Sequence, residues 1–228
     1  YGAMSSWNHQ QGGLMALQHP FGAHVRLEPL AEQERMVAEL AANLLRYGAY
    51  GADIIEVGYR RRGGCDTEHH LNLWDTLSAN GLYLCGIGVS DSHGGAWEEL
   101  PNPFVTWIWA PSTAPADLLD GLRDRRAYFG NPYLYQGYLD LSLGPLRMGE
   151  CGVVEADESD LLIALDPRPA DADVMLVQGL IEGGLPVEYV HLRTLVDPAY
   201  PVRLDTSRSC FVRVEVVRRD GEFLAGSN

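Results

Sequence analysis

The chain has 228 residues, of which 46% are hydrophobic, so it is long enough and apolar enough to bury a sizeable core. It carries 31 acidic and 17 basic residues, a formal net charge of -14, and every basic residue is an arginine. Nucleic-acid binding needs a positive surface, so this balance argues against a nucleic-acid partner. No apolar run approaches the roughly 20 residues that cross a bilayer, and no membrane partner is expected.

The first chemically suggestive residue follows a short apolar run. Residues 14–17 predict a buried strand, and Pro20 ends it. His19 therefore leaves the sheet at a strand end. Taken alone, a histidine in this position is more typical of a core residue hydrogen-bonded to the backbone than of a metal ligand.

A helix and a second strand come next. Apolar residues recur at helical spacing over residues 29–47, and residues 53–58 form an apolar run interrupted by Glu56. An acid inside a buried strand needs a partner, which can be an arginine, a hydrogen-bond network or a metal. The sequence leaves these three alternatives for Glu56 open.

The arginine run 60–62 follows this strand. A run of charges is usually a solvated loop, and the alternative places Arg60 at a pocket mouth, where it would meet an anionic substrate. Residues 68–80 then predict a helix with His69 and His70 at its start. Adjacent histidines on a helix point in different directions, so at most one of them is expected to reach a shared site.

The next apolar run, residues 82–89, predicts a buried strand that delivers Asp91 and His93 at its carboxyl end. In α/β folds this is the end where ligand sites lie. In extended backbone the two side chains point to one side, and such a pair can hold two neighbouring metal ions. The alternative is that Ser90 or Asp91 caps a turn or helix and that His93 is a surface residue.

This alternation of strand and helix predicts an α/β fold with a parallel sheet or barrel. Residues 104–110 predict one further strand and residues 115–125 a helix, and the pattern ends near residue 132. From residue 133 onward, short alternating strands separated by turns predict a small antiparallel β-sandwich. The sequence thus predicts two domains, 1–132 and 133–228.

Four short motifs follow one another along the chain: His19-Pro20, Ile55-Glu56-Val57, Trp74-Asp75 and Ser90-Asp91-Ser92-His93. In this order they resemble the PHP (polymerase and histidinol phosphatase) superfamily. More narrowly, the chain looks like the branch of CehA/McbA-type metallohydrolases. The segment 122–128 and the appended β-domain with residues 212–216 near its end are similar to that branch.

The resemblance implies part of a distorted (β/α)7 barrel with a cluster of two or three divalent metals, Zn, Mn or Fe, at the strand ends. It implies His19, Asp91 and His93 as metal ligands, and a catalytic role for Glu56 through contact with a ligand or with substrate. A bound metal in such a site would activate water for attack on a phosphate, carboxylic or carbamate ester, so a small-molecule ester is the implied substrate.

The chain also departs from the family's pattern. The family begins with a His-x-His motif, and His9 has no histidine two residues away. We therefore expect the remaining ligands to come from an amino-terminal segment of the same protein or from a partner chain. The competing hypotheses are a catalytically incomplete PHP-like scaffold or binding module and, suggested by acidity alone, a metal-storage or regulatory protein.

Overall fold

In the computed structural model, residues 2–93, 102–181 and 191–228 are described. They form a mixed α/β structure in which strands predominate. The helices are α1 (Gly2–Gln10), α2 (Leu30–Arg46), α3 (Thr67–Ala79) and α4 (Pro115–Arg123). None of the described helices combines the length and the apolarity needed to cross a membrane.

The first half of the chain contains a parallel sheet of three strands, β1 (Ala16–Leu17), β2 (Ile54–Gly58) and β5 (Cys85–Gly88), in the order β1-β2-β5. A small hairpin of β3 (Arg61–Arg62) and β4 (Cys65–Asp66) lies between β2 and β5 in sequence. The predicted strands and helices of this half are confirmed, with shorter strands than the apolar runs suggested. Within the described residues, no sheet closes into a barrel.

The strand predicted at residues 104–110 is present as β6 (Val105–Ile108), but it does not extend the parallel sheet. It pairs antiparallel with β7 (Ala127–Gly130), a strand that the sequence did not predict. Through β7 it joins a six-stranded sheet whose other four strands lie within residues 172–227. Strands from both sides of residue 132, the predicted domain boundary, therefore share one sheet.

Most of the remaining strands come from the second half of the chain. They are β8 (Tyr138–Leu143), β9 (Leu146–Arg147), β10 (Glu158–Asp166), β11 (Ala172–Leu180), β12 (His191–Val196), β13 (Val202–Asp205), β14 (Cys210–Arg218) and β15 (Phe223–Ser227). The order β13-β10-β8-β9 makes a four-stranded sheet, and the six-stranded sheet has the order β12-β11-β14-β15-β7-β6. Its inward residues, such as Leu139 and Ile163, share one apolar core with Val174 and Val216 of the six-stranded sheet, so the two sheets pack face to face.

Side chains connect the parallel sheet to the six-stranded sheet. The Asn228 amide accepts from the Gly86 backbone N–H (2.6 Å) and donates to the carbonyls of Gly86 and Ala127 (both 2.9 Å). The Thr106 hydroxyl donates to the Gly88 carbonyl (2.8 Å) and accepts from the Gly88 N–H (3.1 Å). These bonds satisfy backbone groups on the outer edge of β5, which would otherwise be costly to bury.

Helix α3 packs over both sheets. The indole of Trp74 covers β5 so closely that a Cβ at Gly86 would lie 2.5 Å from a ring carbon, which explains why a glycine occupies this position. The Trp74 indole N–H donates to the Leu84 carbonyl (3.0 Å). Trp74 of this helix therefore packs at the amino-terminal part of β5.

Candidate functional site

The three parallel strands bring predicted site residues to one edge of the sheet. Because β1, β2 and β5 are parallel neighbours, their carboxyl ends meet at this edge, with His19 just beyond β1 and Asp91 just beyond β5. Both residues have left-handed backbone, with φ of 31° and 52°. Asp and His adopt this conformation more readily than most residues other than glycine, and Ala49, Tyr50 and Arg125 share it.

Glu56 lies in β2 at the centre of this edge and is buried. Its Oε2 accepts a hydrogen bond from the His19 backbone N–H (2.5 Å) and another from the Tyr59 hydroxyl. Burial raises the pKa of Tyr59 far above its usual value, and the contact with Glu56 raises it further, so the phenol stays protonated and donates. A hydrogen-bond network is thus the partner of this buried acid, and it fixes the loop that carries His19.

Arg62 supplies the positive charge of the site. Its Nη2 forms an ion pair with Oδ2 of Asp91, and the two side chains are 14% and 20% exposed. The guanidinium carbon also lies 5.9 Å from the centre of the Tyr59 ring. We refer to His19, Glu56, Tyr59, Arg62 and Asp91 as the carboxyl-edge cluster.

The other predicted residues lie around this cluster. His93 is exposed, and its Nε2 lies 3.1 Å from Oδ1 of Asp91. Residues 94–101, which follow His93, are outside the described ranges. The exposed guanidinium of Arg60 pairs with Glu222, so Arg62, and not Arg60, is the arginine of the run that contacts Asp91. Arg60 as a substrate-binding residue remains a prediction.

His70 is a neighbour of the cluster that the sequence indicated only as one of two alternatives. Its ring is 1% exposed and packs against Phe21 and Tyr59, with centroid distances of 4.9 and 5.3 Å. Nδ1 lies 2.8 Å from the Asp66 carbonyl and therefore carries the proton, while Nε2 has no hydrogen-bond partner among the described residues. Burial lowers the pKa of His70 to about 4, so the ring is neutral near pH 7.

His69 points elsewhere, as the helical geometry predicted for adjacent histidines. Its Nδ1 lies 2.7 Å from Oδ1 of Asp66, the residue that caps α3. Sequence alone did not single out Tyr59, Arg62 or His70. The available signal was the position of Tyr59 and Arg62 immediately after the strand that carries Glu56.

The described donors do not by themselves fit a metal centre. Across residues 2–93, 102–181 and 191–228, no group of three or more His, Cys, Asp and Glu side chains is arranged to hold an ion. Asp91 and His93 are adjacent, but Arg62 already neutralises the carboxylate. A metal at this edge would need further donors and the release of Arg62.

The geometry therefore defines the class only coarsely, as a mixed α/β protein with a polar cluster at the edge of a parallel sheet. The "Uncharacterized protein ML0386" of Mycobacterium leprae is 33% identical to this chain over 104 residues, which are 44% of this chain and 74% of the relative. The "Uncharacterized protein Rv3412" of Mycobacterium tuberculosis is 33% identical over 100 residues, which are 42% of this chain and 72% of that relative.

The chain belongs to the same family as these mycobacterial proteins. No protein-family model matches it, and no solved structure matches it significantly.

Proposed function

We propose that this protein is a PHP-like metal-dependent hydrolase that acts on phosphate, carboxylic or carbamate esters. The observation that carries the proposal is the convergence of His19, Glu56 and Asp91 at the carboxyl ends of three neighbouring parallel strands. Residues from different strand ends are the usual source of catalytic groups in α/β folds. The motif order in the sequence supports the same proposal.

The proposal assigns roles to four residues of the cluster and to His93. His19, Asp91 and His93 would contribute donors to two or three divalent ions, Zn, Mn or Fe, together with donors from outside the described residues. Glu56 would position the His19 loop through the backbone hydrogen bond. Arg62 would leave Asp91 and present its guanidinium to the anionic group of a substrate, a role for which arginine geometry is well suited.

The proposal is tested on the purified full-length protein by elemental analysis and by assays with p-nitrophenyl phosphate and p-nitrophenyl acetate in the presence of Mn²⁺ or Zn²⁺. Asp91→Asn is expected to reduce metal content and to lower hydrolysis by about 10- to 100-fold or more, the usual scale for disrupted metal coordination. Asp120→Asn is the matched control, because Asp120 lies on the exposed face of α4 and pairs only with nearby Arg123 among the described ion pairs.

Arg62→Gln separates the two roles of the arginine. Removing the cation that neutralises Asp91 is expected to tighten Mn²⁺ binding, measured by calorimetry, while weakening catalysis on the anionic ester more than on the neutral one. A protein without stoichiometric metal whose hydrolysis is unchanged by Asp91→Asn would refute the hydrolase proposal.

A second candidate is a catalytically incomplete PHP-like scaffold or binding module. The observation that favours it is that both oxygens of Asp91 are engaged within the chain, one by Arg62 and one by His93. In that case Asp91→Asn changes stability and leaves metal content at background.

A further inference from the structure

A cavity of about 480 Å³ lies near the start of β5, at the opposite end of that strand from the carboxyl-edge cluster. Tyr83 and Leu84, which immediately precede β5, line one side of it, whereas the cluster follows the other end of that strand. The opposite wall comes from β8, β9 and the segment that enters β14. Its volume is in the range of about 300–1,000 Å³ that small-molecule sites occupy.

The charge of the cavity wall is opposite to that of the whole protein. Its lining contains four arginines, Arg125, Arg147, Arg208 and Arg213, and one acidic residue, Glu150. The chain as a whole has a formal net charge of -14. Arg213 pairs with Asp75 and Arg147 pairs with Glu150 (3.2 Å), and the wall still carries more guanidinium groups than these two carboxylates, which favours an anion at this position.

The arginines are held in place in different ways. Arg213 is buried, stacks 3.7 Å from the Trp74 ring and pairs with Asp75, so it belongs to the inner wall. Arg125 is anchored by a hydrogen bond from Nε to the Gly149 carbonyl (2.9 Å), and its Nη2 lies 3.7 Å from the Cys151 sulfur. Anchored donors lose little conformational entropy when an anion binds.

The rest of the wall is largely apolar. Leu84, Leu141, Leu161 and Phe211 are among its buried members, and the indole of Trp74 adds an aromatic surface. Arg147, Cys151 and Val153 line the cavity and are exposed, so they mark its opening, and Val153 is 88% exposed. An apolar interior with arginines at its opening matches a ligand that has an apolar body and an anionic head.

We infer that this cavity is a binding site for a small amphipathic carboxylate, with its hydrocarbon or aromatic body inside and its carboxylate near Arg125, Arg147 and Arg208. The inference does not depend on the proposed hydrolase activity, because it rests on a different end of the fold. Octanoate is a suitable probe, since it combines a carboxylate with an apolar chain short enough for the cavity.

Cys151 provides a reporter at the opening. It is the exposed cysteine of the chain, whereas Cys65 and Cys85 are buried and Cys210 is half-buried. The experiment measures the rate at which iodoacetamide modifies Cys151 in the full protein, by peptide mass spectrometry, with octanoate, octanol, inorganic phosphate or sodium chloride. We expect octanoate to slow the modification at least about fivefold at saturation and the other three to have little effect.

Variants test the arginines. The double substitution Arg147→Gln with Arg208→Gln is expected to weaken octanoate binding about tenfold, since it removes two charge-assisted partners. Arg203→Gln is the control, because Arg203 is exposed in the same half of the chain and is absent from the cavity wall. Val153→Asp, which adds a negative charge at the opening, is expected to weaken binding by a similar factor in a folded protein.

Equal protection by octanol and octanoate would overturn the anionic part of the inference, and equal protection by phosphate would overturn the apolar part. Absence of protection and of calorimetric binding by octanoate would overturn it entirely. Asp91→Asn is expected to leave octanoate protection unchanged, so failure of the hydrolase proposal and failure of this inference are distinguishable.

Discussion

Two arginine–aspartate pairs in this protein have the same chemistry and different surroundings. Arg213 and Asp75 lie in the interior, with side chains 5% and 1% exposed, and join β14 to α3. Arg62 and Asp91 lie at the sheet edge, with side chains 14% and 20% exposed, and join a short hairpin to the loop after β5. The first pair connects two elements in the interior, and the second is more exposed to solvent.

The two pairs differ in whether water can take the place of the lost partner when the ion pair separates. If the interior pair separates, both side chains remain buried, with the Arg213 guanidinium between the rings of Trp74 and Phe211. At the sheet edge, water or a ligand can solvate either partner after separation. Helix α3 contributes to both regions, since His70 packs beside the carboxyl-edge cluster and Asp75 holds Arg213.

Removal of one member of the interior pair is expected to give the largest change in the free energy of unfolding. Arg213→Ala is expected to lower the free energy of unfolding by about 3–5 kcal/mol, because it leaves the Asp75 carboxylate buried without its cation. Urea denaturation followed by circular dichroism measures this. The double variant Arg213→Met with Asp75→Leu removes both charges and should recover most of the loss. A loss below about 1 kcal/mol in Arg213→Ala would mean that the two pairs do not differ as described.

The pH dependence of stability tests the environment of His70, the residue of α3 that packs beside the carboxyl-edge cluster. The pKa of buried His70 is about 4 in the folded protein and 6.5 in the reference state, so the unfolded chain takes up the proton first as pH falls. The contribution of neutral His70 to the free energy of unfolding is therefore fully present above pH 6.5. It is lost between pH 6.5 and 4, by about 3 kcal/mol at most.

His70→Phe should flatten this pH dependence, measured as the unfolding free energy at several values between pH 7 and 4.5. Burial raises the pKa of the neighbouring Asp66, but the hydrogen bonds and charge of His69 outweigh burial and lower it. Protonation of Asp66 therefore reduces the stability of the fold only at lower pH than protonation of His70 does. An unchanged slope in His70→Phe would show that the ring is accessible to protons in the folded state.

The smallest expected effect is that of Asp91→Asn on stability. Because the pair with Arg62 is partly solvated, the free energy of unfolding should fall by at most about 1 kcal/mol, measured by the same urea denaturation. Arg35→Gln on the exposed face of α2 serves as the comparison for a surface ion pair. A loss near that of Arg213→Ala would place the edge pair in the structural class and would argue against its exchange for a ligand.

Local pattern was sufficient to predict several elements. Helices α2, α3 and α4 were predicted within a few residues because apolar side chains repeat at helical spacing. Strands β2 and β14 were predicted from their apolar or alternating residues. The pairing of β6 was not, because alternation along a strand does not indicate which distant strand it will meet.

In the candidate site, too, some features were indicated by the sequence and others depend on the tertiary structure. Sequence order indicated that His19, Glu56 and Asp91 follow or occupy successive strands, and the parallel pairing brings those strand ends together. The ion pair between Arg62 and Asp91 and the burial of His70 under Phe21 and Tyr59 depend on loop geometry that no local pattern encodes.

The sequence by itself determined the acidic charge, the periodicity of the helices and strands and the presence of carboxylate and imidazole groups at strand ends. The tertiary structure decided that β7 joins β15, that Arg213 is buried against Asp75, and that four arginines line one cavity. The physical reason is that periodicity is a property of neighbouring residues, whereas a charge pair or a cavity wall is made by residues distant in the chain whose meeting depends on how whole sheets pack.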